Sequence, residues 1–227
     1  MKKPLILLHG ALGSENSLAP LKDILAESFD LFSFNFSGHG RTSFSEAGFG
    51  IEVFAEELEV FIKANNLIKP NIFGYSMGGY VALYLAATQP NTIGKIATLG
   101  TKFNWNPESA ELETSRMNPE VMKEKIPSYT NFLEKNHGDK WEELVQQTAA
   151  MMLELGDAPL LNHDTLNQVN SAVLVLRGGA DHMVGQEESK KAVLAIENGL
   201  YGEFLETKHP IEKVDPKVLA ASLKRFF

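Results

Sequence analysis

The chain reads as an α/β protein, a mostly parallel sheet of about six strands with helices on both faces and one helical insertion. Three observations carry that reading. Short apolar runs of strand length alternate with stretches of helical period. Each helical stretch lies between two runs, as a crossover between parallel strands must. The alternation is interrupted once, by a long helical segment.

Residues 4–8 (PLILL) form the first buried strand and 31–36 (LFSFNF) the second. Within 51–66, Phe54, Leu58, Phe61 and Ile62 fall at i, i+4, i+7 and i+8, one face of a helix. Strand three is 71–75 (NIFGY), an alanine-rich helix follows from Gly79 to Ala87, and strand four is 95–99 (KIATL). From about Lys102 to Asn170 no strand is predicted. That segment holds helical spacing instead, with Trp141, Leu144, Val145, Thr148, Met152 and Leu155 on one face. Residues 172–176 (AVLVL) and 202–206 (GEFLE) resume the sheet. The last helix opens on Asp215 as its cap, with Pro216 in the first turn. The chain therefore divides into a core, 1–101 with 171–227, and a helical cap or lid, 102–170. Met117, Met122, Met151 and Met152 lie in the insertion. Methionine fits both a lid over an apolar pocket and ordinary helix packing.

Composition narrows the function. With 21 basic and 29 acidic side chains the net charge is −8, which opposes binding to a phosphate backbone, so no nucleic-acid partner is expected. A chain that is 44% hydrophobic and 22% charged has the balance of a globular protein. Cysteine is absent, which removes disulfides, thiolate metal sites and a cysteine nucleophile. The opening MKKPLILLHG imitates an export signal, but its apolar stretch Leu5–Leu8 is shorter than the ~7–15 residues such a signal needs. No run approaches the ~18–20 apolar residues of a membrane span. The expectation is a soluble, cytoplasmic protein with no membrane partner.

The chemistry concentrates in Asn71–Tyr80, which contains G-x-S-x-G as Gly74, Ser76 and Gly78. A serine hydroxyl becomes a useful nucleophile only when it is held exposed beside a base. A sharp strand-to-helix turn does the holding, and its crowded backbone demands small residues two positions either side. A predicted strand before the motif and a helix after it supply that context.

Such a serine needs a base, and the base needs an orienting acid. In an open parallel sheet these groups lie at the carboxyl ends of strands. His209 follows the last predicted strand by two residues, Thr207 and Lys208, and Asp181 lies four residues beyond the predicted strand end at Arg177. The chain order Ser76, Asp181, His209 suits a nucleophile on such a turn. His182 is a rival base, but as Asp181's neighbour it reads as a solvated loop residue. His137 and His163 read as surface residues of the insertion.

Two backbone N–H donors are needed for the oxyanion. Met77, at a helix N-terminus, supplies one. Ala11, or Leu12 in reserve, supplies the other from the loop after the first strand, where His9 reads as a structural hydrogen-bonder. That loop lacks the lysine and glycine order of a phosphate cradle.

Taken together, these motifs resemble the α/β-hydrolase-fold superfamily over nearly the whole chain. The resemblance rests on the His9-Gly10 loop, Ser37-Gly38-His39-Gly40-Arg41-Thr42-Ser43, the serine turn, Gly178-Gly179-Ala180-Asp181-His182-Met183-Val184 and the His209 loop. It implies a Ser76/His209/Asp181 triad, an oxyanion hole of the Ala11 and Met77 amides, and a helical cap shaping an acyl pocket. Two features depart from the family. Two leading strands common there are missing, which leaves a sheet edge that a second copy in a homodimer can cover. Asn35 stands where an aspartate is usual. The serine nucleophile separates the chain from dehalogenases and epoxide hydrolases of this fold. The menaquinone-pathway lyases share an HG-x-LGS start, but they carry an arginine where this chain has Tyr80. Only four arginines are present (Arg41, Arg116, Arg177, Arg225), few for a multi-carboxylate substrate.

The expected activity is hydrolysis of a small, largely apolar carboxylic ester through an acyl-enzyme, as in a carboxylesterase. No cofactor and no metal are expected. Leu12, Trp105, Met152 and Met183 are the expected pocket residues. The same triad also serves C–C bond hydrolysis, lactone opening, thioester cleavage, perhydrolysis and acyl transfer, and a non-catalytic ligand-binding module is the alternative from another class.

Overall fold

The structure, a computed structural model, describes residues 2–227. Six strands form one parallel sheet: β1 (Lys3–Leu8), β2 (Phe29–Ser33), β3 (Asn71–Tyr75), β4 (Ile96–Leu99), β5 (Val173–Gly178) and β6 (Gly199–Phe204). Their spatial order is β2-β1-β3-β4-β5-β6, so the edges are β2 and β6. The period of two along each strand sends its side chains to two cores. Leu5, Leu7, Phe73 and Leu99 pack on one face under α1 (Ala19–Leu25) and α10 (Pro216–Phe226). Ile6, Leu8, Ile72 and Val175 pack on the other under α2 (Ile51–Ala64) and α3 (Met77–Thr88). Burial on both faces is why these strands read as continuous apolar runs rather than alternating ones.

Two strands lie earlier in the chain than the sequence predicts. The second spans Phe29–Ser33 rather than 31–36, because Phe34 and Phe36 leave the sheet to join an aromatic cluster on α2. Phe34 stacks on Phe61 at 4.6 Å, and Phe36 meets Phe54 at 5.0 Å. The last strand spans Gly199–Phe204 rather than 202–206. Gly202, at the start of the predicted run, lies inside the strand and pairs with Leu176, where a Cβ would lie 2.8 Å from the leucine side chain. Leu205 then points to solvent, 81% exposed, and Glu206 turns the chain at φ 60°.

Between β4 and β5 the chain runs through α4 (Pro107–Thr114), α5 (Pro119–Lys125), α6 (Pro127–His137), α7 (Trp141–Asp157) and α8 (His163–Asn167). On α7 the buried stripe is Trp141, Leu144, Val145, Thr148, Met151 and Leu155, with Met151 in place of the predicted Met152. Met152 is half-buried and faces the serine side of the molecule. Helices α4 and α7 approach closely at Gly156, where a Cβ would lie 2.5 Å from the Ala110 methyl. After β5, α9 (Gln186–Ala195) returns to β6. The C-terminal helix begins as its sequence predicts, with Asp215 accepting from the amides of Lys217 and Val218. Among the described residues no helix is long and apolar enough to cross a membrane.

Candidate active site

Ser76 sits between β3 and α3 with φ 50° and ψ −115°, a left-handed conformation that a non-glycine residue adopts only under constraint. The neighbouring glycines make the turn possible. A Cβ on Gly74 would lie 2.4 Å from the Gly79 nitrogen, and one on Gly78 would lie 2.7 Å from the carbonyls of Leu8 and His9. Both obstacles are backbone, so no rotamer change relieves them. The Ser76 carbonyl is held from the loop after β4 by the Thr101 hydroxyl, which donates to it at 2.9 Å.

The acid loop follows β5. Asp181, 5% exposed, accepts at Oδ1 from the amides of Met183 (2.8 Å) and Val184 (3.1 Å). Its Oδ2 bonds His209 Nδ1 at 2.8 Å. Burial alone would raise its pKa, but the His209 partner and the two amides together outweigh that and hold it below the ordinary carboxylate value. Arg177 braces the loop from beneath, donating to the carbonyls of Val184 (2.7 Å) and Asp181 (3.2 Å) and pairing with Glu203 at 3.2 Å. In the sequence Arg177 marks a strand end and is one of four arginines, and its bracing role has no local signature.

Four residues, Leu205 to Lys208, separate His209 from the observed end of β6, rather than two. The intervening loop reaches back across β5, where a Cβ on Gly178 would lie 2.3 Å from the Thr207 carbonyl. Tyr75 OH donates to the His209 carbonyl at 2.9 Å, and Gly100, at φ 66°, leaves the space that the imidazole ring occupies. With Nδ1 committed to Asp181, Nε2 is the nitrogen free for a second partner.

Two cavities meet at Ser76. A cleft of about 640 Å³ is lined by Ser76, His209, Ala11, Leu12, Met152 and Met183 among others. A second of about 40 Å³ is lined by Ser76, Ala11, Met77, Trp105, Met152 and Tyr80 among others. All four predicted pocket residues therefore border one cavity or both. Met77 opens α3, so its N–H has no acceptor inside the helix. A further groove of about 460 Å³, between Phe103, Leu166 and α9, contains none of the predicted residues.

The remaining histidines divide. His163 and His182 are exposed, as predicted, and both oxygens of Asp181 are committed elsewhere. His9 is wholly buried. Its Nε2 accepts from the Phe36 amide at 3.2 Å, so Nδ1 carries the proton and donates to the Gly10 carbonyl at 2.8 Å. Desolvation lowers its pKa to about 4. His137 corrects the sequence reading. Rather than a surface residue it is 3% exposed, because α6 turns it inward against the first loop. Its Nδ1 accepts from the Gly40 amide at 2.9 Å, and its Nε2–H therefore donates to the Leu12 carbonyl at 3.0 Å. That bond pins Leu12, itself at φ 56°, next to Ala11.

Lys102 was also missed. Its ammonium donates to the Met183 carbonyl at 2.9 Å, pairs with Glu113 of α4 at 3.3 Å, and lies 5.6 Å from the centre of the Trp105 ring. It thereby ties the acid loop to the helical insertion. Tyr80, in the position of the lyases' arginine, accepts from the Leu161 amide at 2.8 Å, and burial pushes its hydroxyl up to about 12. It is a neutral wall residue.

The comparisons agree with the fold. The sequence profile of the alpha/beta hydrolase fold matches residues 3–136. The ethanol acetyltransferase 1 of Hanseniaspora uvarum is 27% identical over 95 residues, covering 40% of this chain and 28% of that enzyme. Pyrrolizixenacetamide deacetylase of Xenorhabdus hominickii is 22% identical over 98% of this chain and 90% of its own length. The first curated relatives are matched over only about 27–33% of their own length. Among solved structures, the enol-lactonase from Burkholderia xenovorans superposes with a TM-score of 0.81 at 17% identity, covering 100% of this chain and 91% of that one. With its profile matched over more than half its length and the parallel sheet, strained serine turn and paired acid and histidine loops in place, the chain belongs to the alpha/beta hydrolase fold family.

Proposed function

We propose that the chain is a serine hydrolase that cleaves carboxylic esters through an acyl-enzyme. One observation carries the proposal: His209, oriented by a 2.8 Å bond to buried Asp181, lines the same cleft as Ser76 on its strained turn. In the cycle, Ser76 Oγ attacks the acyl carbon while His209 Nε2 takes its proton. Asp181 holds the Nδ1–H tautomer and favours the imidazolium that forms. The Ala11 and Met77 amides receive the oxyanion. His209 then protonates the leaving oxygen and later activates water to release the acid. Helices α4–α8 act as the cap, with Lys102 fastening them to the acid loop.

The test is Ser76→Ala with p-nitrophenyl acetate and butyrate. Loss of turnover on the order of 10⁴-fold or more is expected. Fluorophosphonate labelling of the unmodified protein should map to residues 71–80. Undiminished turnover in the variant eliminates the proposal. A panel that adds thioester, lactone and β-diketone substrates separates ester cleavage from the other bonds this triad can break.

A further inference from the structure

We infer that the site selects esters with a short acyl group, two to four carbons, on a bulky and largely apolar leaving group, and that Met152 sets this division. The inference rests on the serine-hydrolase reading and deepens it. Ser76 lies where the two cavities meet, but His209 lines only the larger one. Chemistry assigns the sides. Forming the Ser76 Oγ–C bond moves the carbonyl π pair onto the oxyanion, and the ester C–O bond breaks when that tetrahedral intermediate collapses. The leaving oxygen must take the proton that His209 Nε2 removed from Oγ, so the leaving group lies beside His209, in the cleft of about 640 Å³. The acyl chain then points the other way, into the cavity of about 40 Å³. Water entering from the His209 side reverses the proton path and releases a short carboxylic acid.

The small cavity sets the chain length. At about 40 Å³ against about 640 Å³ for the cleft, it has room for only the few carbons that an acetyl to butyryl chain carries beyond the carbonyl. Its walls cannot readily recede. Met151 and Leu155 are buried in the α7 stripe, Tyr80 is bonded to the Leu161 amide, and Trp105 lies under the anchored Lys102 ammonium. The larger cleft is walled by Leu112, Tyr129, Phe132 and Ile211, with Glu113, Arg116 and Glu212 also on its lining, a mainly apolar surface suited to a large alcohol. Met152, like Ser76 and Ala11, lines both cavities, and it is the one long side chain of the three at their junction.

The experiment measures kcat/KM of the full chain on p-nitrophenyl esters from acetate to octanoate, with 2-naphthyl acetate against methyl 2-naphthoate. A fall of at least ~10-fold beyond butyrate is expected, since a methylene that does not fit discriminates by roughly 10–200-fold. Naphthyl acetate should be the better of its pair. Met152→Ala should raise the octanoate-to-acetate ratio about 10-fold. A maximum at octanoate in the unmodified protein, or preference for methyl naphthoate, overturns the inference even if the Met152 variant fails to fold. If every ester is inert and fluorophosphonate does not label Ser76, the underlying serine reading fails instead.

Discussion

Replacing Asp181 by asparagine changes one atom's chemistry without changing the volume of the site, and its consequence follows from the hydrogen-bond pattern. Oδ1 sits between two donors, the amides of Met183 and Val184 at 2.8 and 3.1 Å, so an asparagine must keep its oxygen there. Its NH₂ is then forced toward His209 Nδ1, where the carboxylate oxygen now lies at 2.8 Å. A donor at that point requires an unprotonated Nδ1, which moves the proton to Nε2. The imidazole can no longer accept from Ser76. The expected loss in kcat is about 10³–10⁴-fold, equivalent to about 4–5.5 kcal/mol at ~1.4 kcal/mol per decade, with KM little changed. Stability changes too. The folded Asp181 carboxyl has a pKa below its unfolded value, so its contribution is present above about pH 4 and lost as pH falls through the folded pKa. At pH 7 the variant should melt a few degrees lower, consistent with ~1–3 kcal/mol for a charge-assisted bond. Steady-state kinetics with p-nitrophenyl acetate, beside thermal melts at pH 7 and pH 3, separate the two effects. A folded variant retaining kcat within tenfold of the parent would refute the tautomer argument.

Two further outcomes follow from the buried histidines. Burial holds the folded pKa of His9 at about 4 and those of His39 and His137 below the ordinary histidine value of about 6.5, so the unfolded chain binds the extra protons as pH drops. Their stabilisation is present above about pH 6.5 and lost toward the folded values. His9 alone should remove roughly 2 kcal/mol between pH 7 and pH 5, and a urea midpoint that does not fall over that interval contradicts this. His137→Leu leaves the Gly40 amide and the Leu12 carbonyl without their partner, a penalty of about 1–3 kcal/mol per buried group, whereas His137→Gln restores one donor and one acceptor. The glutamine variant should therefore recover both melting temperature and kcat relative to leucine, and equal behaviour of the two variants would remove His137 from any role in holding the first loop.

The legible parts of this protein are those whose physical demand is local. The serine turn needs glycines at Gly74 and Gly78 because backbone passes within a side chain's reach, and that demand is written in five consecutive residues. The strands of the sheet centre are legible because burial on both faces leaves only apolar residues. The illegible parts are set at a distance. Phe34 and Phe36 are as apolar as a strand, yet they pack on α2 instead of pairing. His137 reads as a polar residue on a cap helix until α6 brings it 3.0 Å from a carbonyl 125 positions earlier in the chain. Arg177 and Lys102 brace the acid loop through carbonyl oxygens, which every residue possesses and no sequence pattern marks.

Residue chemistry and spacing alone thus determined the α/β class, the candidate nucleophile at Ser76 and the identities of its acid and base candidates. Those depend on alternation, chain order and the steric needs of one turn. Tertiary structure alone decided which imidazole nitrogen is free, which histidine is buried, and how the space around Ser76 divides into a small cavity and a large one. A hydrogen bond and a cavity wall are built from residues far apart in the chain, and their geometry exists only once the sheet and its helical insertion have closed around them.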